Sequence, residues 1–122
     1  MKQLTYGNDF PKVIELSRFF GMPVYTINYG LHETGNPEIG KYCWNSVKLP
    51  PGHSEYETIV SSLITNEYDN NAMQAIMLNY LDNVNPDAII EWKKMQQFRI
   101  FAKQLAKDFI DGKISIDTTL TL

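Results

Sequence analysis

Two histidines (His32 and His53), one cysteine (Cys43) and the carboxylate Glu33 are the side chains here best suited to acid–base or nucleophilic chemistry. Imidazole exchanges protons near neutral pH, and a thiol becomes a nucleophile once a base or positive field draws off its proton. Either role needs a partner within hydrogen-bond reach, and a metal needs several ligands at a recognisable spacing. The local pattern supplies neither. His32 has Glu33 beside it and no other ligand type at a motif spacing, and His53 follows the loop-forming run Pro50-Pro51-Gly52. Cys43 stands between Tyr42 and Trp44 in an expected strand, whereas a reactive cysteine favours a helix N-terminus or a basic neighbour. These positions read as two loop histidines and a small packing cysteine. Whether His32, Glu33 and His53 form a site depends on how the chain folds.

The remaining chemistry is equally sparse. A single cysteine excludes an intramolecular disulfide and a cysteine-based metal cluster. Glycine-rich phosphate loops and the G-x-S-x-G nucleophile turn are absent. Two oxygen-rich clusters, Asn66, Glu67, Asp69, Asn70, Asn71 and Asp82, Asn83, Asn85, Asp87, lack the alternating ligands and glycine of a calcium loop. They fall where helices stop and restart, where Asn and Asp serve as caps. Arg99, Lys103 and Lys107 recur at i, i+4 and offer a phosphate contact, with Trp92 and Phe101 near enough in sequence to stack on bases. Asp87 and Glu91 precede that run and Asp108 and Asp111 follow it, leaving a net charge of only +1 over residues 85–112, so it reads first as a solvated face, and nucleic acid is not the expected partner. No catalytic, cofactor-binding or metal-binding residue is assigned, and no cofactor is expected.

These groups must be carried by a chain of 122 residues, the length of one domain, with 43% hydrophobic residues and a net charge of −3. That composition excludes a disordered acidic tail and gives no electrostatic attraction to nucleic acid or anionic membrane. No apolar run is long enough to cross a bilayer, and the first residues lack a signal peptide's apolar segment. A cytoplasmic location is expected, or a particle-associated one.

The expected architecture is α+β: a small β-hairpin or sheet packed with three amphipathic helices and a C-terminal strand. It forms one domain over 1–122, β-rich over about 1–50, helical over about 54–112, with the strand at 113–122. Residues 10–20 fit a short helix capped by Asp9 and ended by Gly21, although their β-formers also allow a strand. Residues 23–29 read as a strand with Tyr25, Ile27 and Tyr29 on one face, and 41–49 as its partner across a glycine-rich loop. Ser54 and Glu57 have capping-box spacing before a helix whose apolar face is Tyr56, Ile59, Val60, Leu63 and Ile64. Asp69 or Asn70 caps a second helix, with Ala72, Met73, Ile76, Met77, Tyr80 and Leu81 on its apolar side. Asn85-Pro86 opens a third, which runs to about Ile110, ends at Gly112 and spans about 37 Å. Its buried stripe is Ile89, Trp92, Met95, Phe98, Ala102, Leu105, Ala106 and Phe109. The tail alternates, with Ile114, Ile116, Thr118, Leu120 and Leu122 facing one way, and reads as a half-buried strand.

Leu49-Pro50-Pro51-Gly52, then Tyr56, Ile59, Val60, Ile64 and Tyr68, then Met73, Ala75, Ile76, Asn79, Tyr80 and Leu81, then Glu91, Trp92, Met95, Gln96, Phe98 and Arg99 form a pattern. It continues through Ala102-Lys103 and Ala106-Lys107 and resembles small proteins of phages and prophages of gut bacteria. The resemblance covers residues 40–110 and rests on core and capping positions. It implies a mobile-element origin and an accessory or particle-associated role, and it transfers no functional residue.

The expected function is a non-enzymatic interaction or assembly module, with a protein partner or a homo-oligomer. The tail would supply the self-association strand through Ile114, Ile116, Leu120 and Leu122, because an unblocked strand edge is a natural pairing surface. The alternatives are a nucleic-acid-contacting regulator using Arg99, Lys103 and Lys107, and a small inhibitor or enzyme with a site assembled from loops.

Overall fold

Alternating β-formers and tight turns build four antiparallel strands, and three helical stretches follow. The computed structural model describes residues 4–82 and 85–122. The strands are β1 (Leu4–Gly7), β2 (Ile14–Phe19), β3 (Met22–Glu33) and β4 (Tyr42–Lys48), and the helices are α1 (Tyr56–Glu67), α2 (Asn70–Asp82) and α3 (Pro86–Ile110). Sheet order is β1-β4-β3-β2. The α+β class is therefore as expected, with the long hairpin of β3 and β4 at its centre.

The register decides which side chains meet the helices. Ile27 lies opposite Val47 and Ile14 opposite Ile27. With Tyr25, Tyr29 and Leu49 they form the sheet side of a core completed by Ile59, Leu63, Ala102, Leu105 and Ala106. Phe109 packs edge-on against Tyr25 at 5.5 Å, and Phe98 lies 5.5 Å from Tyr29. So α3 runs back along β3, and its N-terminal half carries α2. The small residues Ala102 and Ala106 are fully buried, which lets the helix backbone approach the sheet. Of the expected α3 stripe, Met95, Ala102, Leu105 and Ala106 are buried and Trp92, Phe98 and Phe109 half-buried, whereas Ile89 is exposed.

The opposite sheet face is covered by the β1–β2 connection. Because β1 pairs with β4 at the far edge from β2, residues 8–13 must cross the sheet. Phe10 packs edge-on against Tyr42 at 4.8 Å. Asn28, 1% exposed, donates from Nδ2 to the Lys12 carbonyl at 2.8 Å and accepts from Ser46 Oγ at 2.7 Å. Its burial is tolerable because both ends of the amide are bonded.

Three local expectations are corrected. Residues 10–20 do not form a helix: β2 pairs with β3 from Ile14↔Ile27 to Phe19↔Met22, so cross-strand packing overrides the capping signals at Asp9 and Gly21. The C-terminal strand is also not formed. Ser115, Asp117 and Thr118 close a local turn, with Ser115 N–H donating to Thr118 Oγ1 at 3.1 Å and Asp117 N–H to Ser115 Oγ at 3.2 Å. Small polar side chains that look strand-like by alternation capture backbone groups instead. Beyond the turn the tail makes one isolated bridge, Lys12↔Thr119, in its own chain. The third correction is at α1: its N-cap is Glu55, with no side-chain cap bond, so the Ser54–Glu57 box does not form.

The other helix ends follow their capping residues. Asp69 Oδ1 accepts from Ala72 N–H at 2.7 Å and Asn85 Oδ1 from Ala88 N–H at 3.0 Å, with Pro86 in the first turn. At the C-terminus of α3, Lys113 N–H donates to Asp108 C=O and Gly112 N–H to Phe109 C=O, a Schellman arrangement. Asn83 lies outside the described residues, as do residues 1–3. Among the described residues no helix is long and apolar enough to cross a membrane.

Candidate functional site

The groups singled out for acid–base chemistry do not converge. His53 Nδ1 lies 3.1 Å from Glu55 Oε1, and Thr58 Oγ1 donates to Glu55 Oε2 at 3.0 Å. This places His53 just before α1. Gly52 N–H bonds the Pro23 carbonyl, so that loop sits at the start of β3. His32 and Glu33 sit about nine residues further along the same strand, roughly 30 Å away. Its own backbone hydrogen bond first, and then His53 and Thr58, hold the Glu55 carboxyl below the ordinary glutamate value.

His32 instead meets Cys43, a pairing that their spacing in sequence did not reveal. β3 carries a bulge between Tyr29 and His32, where Gly30 adopts φ +72°. The extra residue turns His32 onto the face of Cys43, its cross-strand partner. His32 Nδ1 lies 2.9 Å from the Gly30 carbonyl, which can only accept, so in the neutral ring Nδ1 carries the proton. Nε2 is then the acceptor for the Cys43 thiol, 2.8 Å away. This is a thiol–imidazole pair with an oriented base, which fits the first requirement of nucleophilic catalysis. The second, access for a substrate, is poor: Cys43 is 5% exposed. The concave space that begins at the next residue is lined by Glu33, Thr34, Asn36, Lys41 and Tyr42, and includes neither member of the pair.

The other predicted positions are separated by the fold. Arg99 lines a shallow groove with Tyr56, Glu57 and Met73, while Lys103 and Lys107 are exposed further along α3. Asn66 and Glu67 hold the buried Tyr29 hydroxyl: it donates to Glu67 Oε2 at 2.8 Å and accepts from Asn66 Nδ2 at 3.0 Å. Burial above all raises the Tyr29 pKa, so the phenol stays protonated. Among the described residues no group of three or more His, Cys, Asp or Glu could hold a metal ion.

Two surface features stand out among the described residues. The first is the tip of the β2–β3 hairpin. Phe19 pairs with Met22, leaving a two-residue turn of Phe20 (φ +48°) and Gly21 (φ +81°). Positive φ at both positions is the type I′ pattern, in which Asn-Gly is the favoured pair. Phe20 instead places a bulky ring in a left-handed conformation that costs an L-residue roughly 1–2 kcal/mol. The ring recovers little of this by burial: it is 89% exposed, touching Phe19 edge-on at 4.6 Å. Phe19 and Met22 are 52% and 44% exposed beside it.

The second feature is a groove of about 540 Å³ between α3, the β3 bulge and the tail. Its apolar lining includes Phe101, Leu105, Ile114, Leu120 and Leu122, and Gln104 and Asp108 supply polar atoms. Gln104 Nε2 donates to Asp108 Oδ1 at 2.8 Å. Ile114 and Leu120 therefore pack against their own core and also wall this groove, while Ile116 and Leu122 are exposed.

The arrangement is that of an α+β domain with helices on one sheet face and an aromatic hairpin tip. No family model, curated protein or solved structure matches the chain.

Proposed function

We propose that this protein is a non-enzymatic interaction or assembly module that engages a protein partner through the β2–β3 hairpin tip. The observation that carries the reading is Phe20: a large apolar ring held at φ +48° and left 89% exposed. Neither local preference nor core packing accounts for that residue in that turn, and strain combined with exposure is characteristic of binding positions. An accessory role in a mobile element, implied by the resemblance to phage and prophage proteins, is in keeping with such a module.

The test is site-specific photocrosslinking. A photoreactive phenylalanine analogue replaces Phe20 in the full chain, which is irradiated in the producing cell. Discrete protein adducts, a dimer of this chain included, are the expected result. Adducts to nucleic acid or lipid alone, or none above those from a probe at the exposed control position Glu38, would overturn the reading.

A further inference from the structure

The geometry points to a second copy of this chain as the occupant: the Phe19–Phe20 tip of one molecule seats in the groove between α3 and the tail of another. This rests on the interaction-module reading and names its partner. Three observations carry it. The first is shape: the tip is an apolar knob, and the same chain holds an apolar groove of about 540 Å³, within the range that encloses compact ligands. The second is reach. Met22, at the base of the tip, and Gly30, in the groove wall, are eight residues apart on β3, about 27 Å, and the tip points away along the strand. A molecule therefore does not fill its own groove with its own tip, whereas two molecules can.

The third observation is charge. Arg18, exposed on β2, stands two residues before Phe20, and Asp108 lies in the groove lining. Asp108 accepts from Gln104 through Oδ1, and a carboxylate has capacity for a second, charged donor. Docking the tip brings a cation toward the acidic end of the groove. Made reciprocally, the contact closes a two-fold dimer; made once per pair, it is heterologous and closes a ring or propagates. In this arrangement the tail contributes to association as a groove wall, through Ile114, Leu120 and Leu122, and not as a pairing strand.

The experiment is sedimentation velocity of the purified full chain from about 10 μM to 1 mM, where contacts of a few side chains become populated. The wild type is expected to sediment faster as concentration rises, and Phe20→Asn to stay monomeric. Asn suits the left-handed turn, so this variant should melt higher than the wild type, which separates loss of association from loss of fold. Arg18→Glu and Asp108→Lys should each associate at least tenfold more weakly alone. Mixed one to one, they should recover a complex, because the Arg18 tip of the second variant meets the intact Asp108 groove of the first, and the swapped contact, a carboxylate at position 18 against an ammonium at position 108, is complementary as well. Asp108→Lys places a cation in the last turn of α3, where the helix dipole favours it. A wild type that stays monomeric throughout, a Phe20→Asn variant that associates like wild type, or a mixture with no recovery would each overturn the inference. Monomeric behaviour together with Phe20 crosslinks to a different protein would leave the interaction-module reading standing. Monomeric behaviour with no protein crosslink would remove both.

Discussion

Gly30 and Gly35 have the same backbone angle, φ +72°, but different surroundings, and together they measure what the β3 bulge requires. A Cβ at Gly30 would lie 2.8 Å from Asn45 Nδ2, whereas one at Gly35 would meet nothing within 4 Å. Replacing either with Ala forces an L-residue into the left-handed region at roughly 1–2 kcal/mol. Gly30→Ala adds the displacement of the Asn45 amide, the far end of a half-buried side chain, at about 1 kcal/mol, the low end of overpacking costs. The entropy that Ala removes from the unfolded chain is common to both and cancels in the comparison. For a chain of 122 residues, 1 kcal/mol corresponds to about 4 °C in Tm. Gly30→Ala should therefore melt about 4 °C below Gly35→Ala, and Gly35→Ala no more than about 8 °C below wild type. Asn at each position refines the test, because Asn tolerates the left-handed region but keeps a Cβ. Gly35→Asn should fall near wild type while Gly30→Asn stays low. Calorimetry on the four variants is the assay. Alanine variants that melt within about 2 °C of each other would refute the claim that close approach to Asn45, and not φ alone, makes glycine necessary at the bulge.

Tyr29→Phe removes a buried hydroxyl that bridges Glu67 and Asn66, and should cost about 1–2 kcal/mol by urea unfolding. Glu55 should titrate below the ordinary glutamate value by NMR. Because its folded-state pKa is depressed, its contribution to stability is present above the unfolded value and lost as pH falls through the folded one. Glu55→Gln should flatten that part of the acid limb and lower stability above the unfolded value, where the contribution is fully present. Cys43, 5% exposed, should react with iodoacetamide only as the sheet opens, so labelling should accelerate with sub-denaturing urea. Fast labelling in native buffer that falls in His32→Gln would instead make the thiol–imidazole pair an accessible nucleophile and reopen the enzyme reading.

The three helices were legible because their signals were local, although the Ser54–Glu57 box does not form and the expected apolar side of α2 buries no residue, with Met77, Tyr80 and Leu81 exposed. Asn85-Pro86 opens α3 as its residue types require, and the spacing of Ile59 and Leu63 placed the buried face of α1. β3 and β4 were legible through period two and the glycine-rich loop between them. The misreadings share a cause. In 10–20 and 113–122 the local pattern was compatible with two structures, and distant partners chose between them: β3 for the first, a polar turn and the Lys12 bridge for the second. The His32–Cys43 contact was hidden because His32 read as a loop residue, whereas β3 continues to Glu33 and carries it. On a regular strand His32 would share a face with Asn28 and turn away from Cys43; one extra residue at Gly30 reverses that. The signal available was Gly30 itself, a glycine within a strand pattern, which marks a bulge.

Phe20 and Gly30 show how local conflict separates structural from functional demands. Both occupy left-handed backbone. At Gly30 the residue type and the conformation agree, and the contact with Asn45 explains why no side chain is present. At Phe20 they disagree: the turn favours Asn or Gly, no apolar layer covers the ring, and a single substitution would supply a better turn residue. Replacing it would relieve strain without opening a cavity in the core, so the ring adds nothing to stability. On the proposed reading, a partner supplies the demand that keeps an aromatic ring at the hairpin tip. A Phe20→Asn variant that is both more stable and deficient in association would show that demand directly.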